Sequence, residues 1–187
     1  MNLRPTLKKI LDDFADDYRR TSDASRKEYL QTLGPGAIVP GNGRIYIDKQ
    51  RSEFMERTSK RAGDAHAAIS RRVDEVKRLM TDPPSSEAVN TITLLANRDN
   101  LTLQDLEFAA QRYGDNYQAF KTLASIGAKK SIRGLGNHPL DEELSALSSI
   151  DRTMARMLTL SEAEARGTSL PAVLSWTKMT IDSLPND

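Results

Sequence analysis

The residues of this chain that could do chemistry are two histidines, three pairs of adjacent carboxylates and three glycine-bearing loops. His66 and His138 stand 72 positions apart. Neither has the His at i+4 or the Glu-x-x-His neighbour that puts two metal ligands on one helix face. His66 lies among alanines in a helical stretch and reads as a structural or exposed residue. His138 precedes Pro139 and reads as a helix cap. The carboxylate pairs are Asp12-Asp13, Asp16-Asp17 and Glu142-Glu143. General acid–base work needs carboxylates that converge in a pocket. The first two pairs instead alternate with Lys8-Lys9 and Arg19-Arg20 at the spacing of an exposed helix. The loops Gly34-Pro35-Gly36, Gly41-Asn42-Gly43 and Gly134-Leu135-Gly136 lack the strand before and the Gly-Lys-Ser/Thr after that a phosphate loop needs. No catalytic, cofactor-binding or metal-ligating residue is assigned, and the chain reads as a non-enzyme with no cofactor.

Phosphate contact is the remaining chemistry. Arg71, Arg72, Lys77 and Arg78, with Lys129, Lys130 and Arg133, are its candidates. They make a nucleic-acid-associated or host-factor-inhibiting protein, using the basic stretch 49–81, the alternative function. Against it, acids interrupt the basic residues, no aromatics interleave for base stacking, and the isoelectric point is about 7.9.

The positioning elements are helical. Leu7, Leu11, Phe14 and Tyr18 repeat at spacings of four, three and four, a narrow coiled-coil-like seam on a first helix that opens near Pro5 and stops at Gly34-Pro35-Gly36. A second helix is expected from about Asp48 to Met80. Its seam is Met55, Thr58, Ala62, Ala65, Ile69, Val73, Val76 and Met80. Between them, Ala37-Ile38-Val39 and Ile45-Tyr46-Ile47 flank Pro40-Gly41-Asn42-Gly43, the pattern of a small β-hairpin with an Asn-Gly turn. The predicted fold is therefore all-α. Residues 1–81 form a long antiparallel helical hairpin with a β-hairpin tip at 34–48, and a bundle of shorter helices follows over 82–187.

Asp82-Pro83-Pro84 is the expected domain boundary. Short helices follow over 86–97, with Val89, Ile92 and Leu95, and from Leu103 to Gly114. The second has Thr102 as N-cap, Asp105 at N3, and Leu101 stapled to Leu106. A third is expected to be capped by Asp115 and closed at Gly127. A longer one spans about Pro139 to Arg166, and a last one opens near Ser169 with Leu170, Val173, Trp176 and Ile181.

The composition suits assembly. Apolar residues make up 38% and aromatics 5%, little for a self-sufficient globule of this length. The charge is unevenly spread: nine basic against five acidic residues over 49–81, three against six over 82–128, and four against eight over 139–187. There are no cysteines and no run of 18 apolar residues, so no disulfide and no membrane partner is expected. The N-terminus turns acidic at Asp12-Asp13, which argues against a signal peptide. The expected location is the cytoplasm.

The segment Ser86–Lys130, with its Asn100-Leu-Thr-Leu-Gln-Asp-Leu helix start and its Tyr113-Gly-Asp-Asn-Tyr turn, resembles small helical proteins of tailed bacteriophages. Among those, a polar long-helix arm joined to a small bundle is common in head-scaffold and other virion-associated proteins. The resemblance implies a phage-encoded assembly or scaffold protein, found in the host cytoplasm or the virion. It carries over no functional residue.

From these readings the expected function is non-enzymatic viral assembly. A homo-oligomer is expected, self-associating through Leu7, Leu11, Phe14, Tyr18, Ala62, Ala65, Ile69 and Val73. Ile38, Val39, Ile45, Tyr46 and Ile47 at the hairpin tip are the candidate contacts to another subunit or a protein partner.

Overall fold

A computed structural model describes residues 3–32, 41–158 and 170–184. Seven helices form among them, and no strand: α1 (Leu3–Thr32), α2 (Gly41–Thr81), α3 (Ser86–Ala96), α4 (Leu103–Tyr113), α5 (Tyr117–Lys129), α6 (Pro139–Leu158) and α7 (Leu170–Asp182). Packing divides the chain into two units. The long-helix unit comprises Met1–Ser70 with Ser148–Asp187, and the short-helix unit comprises Arg71–Leu147. The prolines after Asp82 do end α2, but the packed units do not follow the expected division at 81/82: α2 and α6 each contribute to both.

In the long-helix unit, α1 buries Leu3, Leu7, Leu11 and Phe14. Pro5 sits in its first turn, where a missing N–H costs no helical hydrogen bond. Phe14, Tyr18 and Phe54 form a cluster of tilted rings with centroids 6.1–6.4 Å apart. Further along, α2 buries Thr58, Ala65, Ala68 and Ile69. Residues 40 and 44 positions apart pair directly, Asp17 with Arg57 and Arg61, so α2 returns to α1. Helix α7 packs on α1. Lys8 pairs with Asp182 and Asp12 with Lys178, a register in which one index rises as the other falls, so the two helices run antiparallel.

Short helices with explicit ends build the other unit. Helices α3, α4 and α5 pack pairwise around Ile92, Leu106, Ala109, Ala119, Leu123 and Ile126. Full burial of each large aliphatic side chain contributes about 1.5–3 kcal/mol. The side chains of Ser85, Thr102 and Asn116 accept from the backbone amides of Ala88, Asp105 and Ala119 and so cap the three helices. Thr102 and Asp105 complete the expected capping box. His138 is buried, and it caps α6: its Nδ1 accepts the Leu140 amide at 3.1 Å while Nε2 donates to the Gly114 carbonyl at 2.9 Å. The rings of Tyr117 and Phe120 meet it edge-on. Arg72 Nε donates to the buried carboxylate of Glu143 at 2.6 Å, tying α2 to α6. Gly134 holds a φ of 140°, and a Cβ there would come within 2.9 Å of the Leu103 side chain.

Several expectations are corrected. The β-hairpin does not form over its second half: α2 reaches back to Gly41, so Ile45, Tyr46 and Ile47 are helical, while Ile38 and Val39 lie outside the described residues. β-branched residues cost a helix less than about 1 kcal/mol each, and a lone two-stranded hairpin is marginal in water. Phe54 belongs to the buried stripe of α2, and Met55, expected there, is 41% exposed. The cap of α5 is Asn116 rather than Asp115, and α5 runs past Gly127 to Lys129. It ends instead at Ser131, whose φ of 59° is left-handed. There the Ile132 amide donates to the Gly127 carbonyl and the Ser131 amide to Ala128, a Schellman closure. Val89 and Trp176 are exposed.

Candidate interaction surface

The residues expected to form a self-association seam are largely spent on the protein's own core. Leu7, Leu11, Phe14, Ala65 and Ile69 are buried, and Tyr18, Ala62 and Val73 are half-buried. Val73 belongs to the short-helix unit and the others to the long-helix unit. Within the single chain these side chains are already buried or half-buried.

The candidate phosphate contacts differ in what surrounds them. Arg72 is held by Glu143 and Glu75. Its guanidinium is pushed further up by the Glu143 hydrogen bond, against the opposing effect of burial and with help from Glu75. On α2, Arg71, Lys77 and Arg78 are exposed. Lys129 and Arg133 are exposed too, and Lys130 Nζ donates to the Arg98 carbonyl at 2.7 Å. Gln118 donates to the Met80 carbonyl, placing the start of α5 at the end of α2. Lys129 is then roughly 16 Å further along α5 at about 1.5 Å per residue. Within the long-helix unit, Arg57 and Arg61 are committed to Asp17 at 2.7–3.1 Å.

Neither histidine meets a metal-ligating set: among the described residues no cluster of three His, Asp or Glu could hold an ion. His66 is exposed, with Nδ1 3.0 Å from the Asp151 carboxylate. Among the described residues no helix is long and apolar enough to cross a membrane.

The fold also leaves several large apolar side chains open. In the short-helix unit Leu94 is 73% exposed and Phe108 68%; in the long-helix unit Trp176 is 51% and Met179 69%. Trp176 and Met179 lie three residues apart on α7, opposite its buried Thr177 and Ile181. Phe108 lines a groove between α3 and α4, together with Thr91, Leu95, Gln104, Asp105 and Ala109. The carboxyl of Asp105 is held below the usual range by hydrogen bonds from the Thr102 hydroxyl and backbone, with Arg98 adding to them. The sequence reading missed Leu94 and Phe108. The signal was phase: α3 buries Ala88 and Ile92, and α4 buries Leu106 and Ala109, so Leu94 and Phe108 are apolar residues out of step with their stripes.

The chain matches no protein-family model, no curated protein and no solved structure.

Proposed function

We propose that this chain is a non-enzymatic helical assembly protein, phage-encoded and virion- or scaffold-associated, that joins copies of itself and protein partners through apolar side chains its folded units leave uncovered. The observation that carries the interaction reading is the Trp176–Met179 pair: two large apolar side chains on one open face of a helix whose other face is buried. Large apolar groups left open this way mark contact sites, and Trp is over-represented among residues that dominate binding. The contact is assigned to this face rather than to the α1–α2 stripe, which the chain covers itself. The phage attribution rests on the resemblance of Ser86–Lys130.

Sedimentation equilibrium tests self-association. A mass that rises with concentration, and falls towards the monomer in Trp176→Ser with Met179→Ser at unchanged helix content, is expected. A strictly monomeric mass up to high micromolar concentration overturns it.

A further inference from the structure

The groove between α3 and α4 has a volume of about 340 Å³. Leu95 and Ala109 contribute small or half-buried apolar surface to it, Phe108 stands exposed at its edge, and Leu94 is exposed beside Leu95. Two ion pairs bracket it, Arg112 with Glu87 at one end and Arg98 with Asp105 at the other. From residue 87 to residue 98 is about three helical turns, roughly 16 Å at 1.5 Å per residue. This is the shape in which one face of a short helix can lie.

Charge decides what lies there. Between residues 82 and 115 stand six acidic residues and two basic ones, a balance of −4. Both cations, Arg98 and Arg112, are neutralised by the bracketing carboxylates. Asp82, Asp99, Glu107 and Asp115 remain exposed, with no ion pair to any described residue. In sequence, Glu107 is next to Phe108, Asp99 follows Arg98, and Asp82 and Asp115 lie just before Glu87 and just after Arg112. A second copy presenting the same face would set carboxylates against carboxylates. Lys130, whose Nζ donates to the Arg98 carbonyl at 2.7 Å, adds one cation at that end and leaves carboxylates in excess, so a cationic partner meets complementary charge.

We infer that this groove receives an amphipathic helix of a partner protein, about three turns long, with large apolar side chains along one face and lysines or arginines beside them. The apolar face covers Leu94 and Phe108, and the cations meet Asp99, Glu107 and the acids beyond Glu87. This rests on the reading of the chain as an interaction protein. That reading is tested by sedimentation of the α7 variants without any added peptide, so the two fail by separate measurements.

The probe is a fluorescein-labelled amphipathic peptide of leucine and lysine, titrated with the full chain and followed by anisotropy. Binding is expected, weakening as salt rises because the acidic rim is exposed. Leu94→Ser with Phe108→Ser is expected to weaken it by about tenfold or more, as loss of buried anchor side chains does. Both positions are exposed, so circular dichroism is expected to show unchanged helix. Asp99→Lys with Glu107→Lys is an independent variant that leaves the apolar groove intact. It is expected to weaken the lysine peptide and strengthen a leucine–glutamate counterpart. Equal affinity for wild type and both variants, equal affinity for the lysine and glutamate peptides, or no binding at all overturns the proposal. A concentration-dependent mass abolished by Leu94→Ser with Phe108→Ser, without peptide binding, overturns it in favour of a second copy.

Discussion

The two units stabilise helices by opposite means. In the long-helix unit α1 has 30 residues and α2, shared with the other unit, has 41. Such helices lose few backbone hydrogen bonds to their ends, but their stripes are thin, and their order depends on cross-packing at the Phe14–Tyr18–Phe54 cluster and on ion pairs between helices. In the short-helix unit α3, α4 and α5 have 11, 11 and 13 residues, a length at which an isolated helix is marginal in water. Ends are a large fraction of such helices, and each start is closed by a side-chain cap over one dense core. The difference is that a long helix fails when its partner is lost, and a short one when its core or its ends are.

The strongest break of that contrast is Phe14→Ala. Phe14 is fully buried and touches both other rings of the cluster, so about 3–5 kcal/mol is expected to be lost, as for other buried aromatics. Hydrogen exchange is expected to show lost amide protection in α1 and α7 while α3–α5 keep theirs. Uniform loss across both units would show that they do not respond separately. Next in size is Glu143→Gln in the short-helix unit. The substitution keeps the volume but removes the charge that accepts from Arg72, at an expected cost of about 1.5–3 kcal/mol for a hydrogen bond to a charged group. Urea unfolding checks it, and a midpoint equal to wild type would place the support of α6 elsewhere.

Acid sharpens the comparison further. Burial pushes the Asp17 carboxyl up, but hydrogen bonds from Arg57 and Arg61 outweigh it and hold the group below its ordinary value. The folded state thus holds its proton less tightly than the unfolded chain, whose Asp titrates near about 3.9. The contribution is fully present above that value and is lost as pH falls through the lower folded one. Asp105 and Asp141 in the short-helix unit are also lowered, by Thr102 and by Lys121 respectively. Those pairs are more open to water, and exposed pairs contribute little. Melting curves of wild type and Asp17→Asn are therefore expected to differ at neutral pH and to converge below about pH 4. A constant gap down to pH 2 would show that the Asp17 charge does not carry the effect.

The same contrast explains what could be read from the residues. Thr102, Asp105, Leu101 and Leu106 were legible because a capping box and its staple are local and lie within six positions. The α1 stripe was legible because Leu7, Leu11 and Phe14 repeat without interruption. Phe54 was missed in favour of Met55 because α2 fills its stripe with alanine and threonine, which fix the phase poorly. The expected hairpin failed at Ile45-Tyr46-Ile47 because local β-propensity competed with continuation of a long helix, and propensity is the weaker influence. The candidate site was the least legible part. Whether Leu7 is covered by its own chain or by another is decided by which helices return to it, and that information is not local. Leu94 and Phe108 announce themselves only once the buried phase of α3 and α4 is known.

The smallest effect isolates a single helix end. Helix α5 closes through Ser131 at a φ of 59°, with Ile132 packed against the core beyond it. The left-handed conformation costs an L-residue about 1–2 kcal/mol, and glycine adopts it freely. Glycine also gives the unfolded chain more freedom to lose, which takes back about 0.4–1 kcal/mol. The net expectation for Ser131→Gly is a stabilisation of about 0.5–1 kcal/mol, visible as a small rise in the urea midpoint with unchanged slope. Because Ser131 is exposed, no core contact changes with it. A gain would show that the short-helix unit is limited by how its helices end. A loss would mean that the Ser131 side chain supports the closure by more than its backbone strain costs, and that helix ends limit the short-helix unit less than its core does.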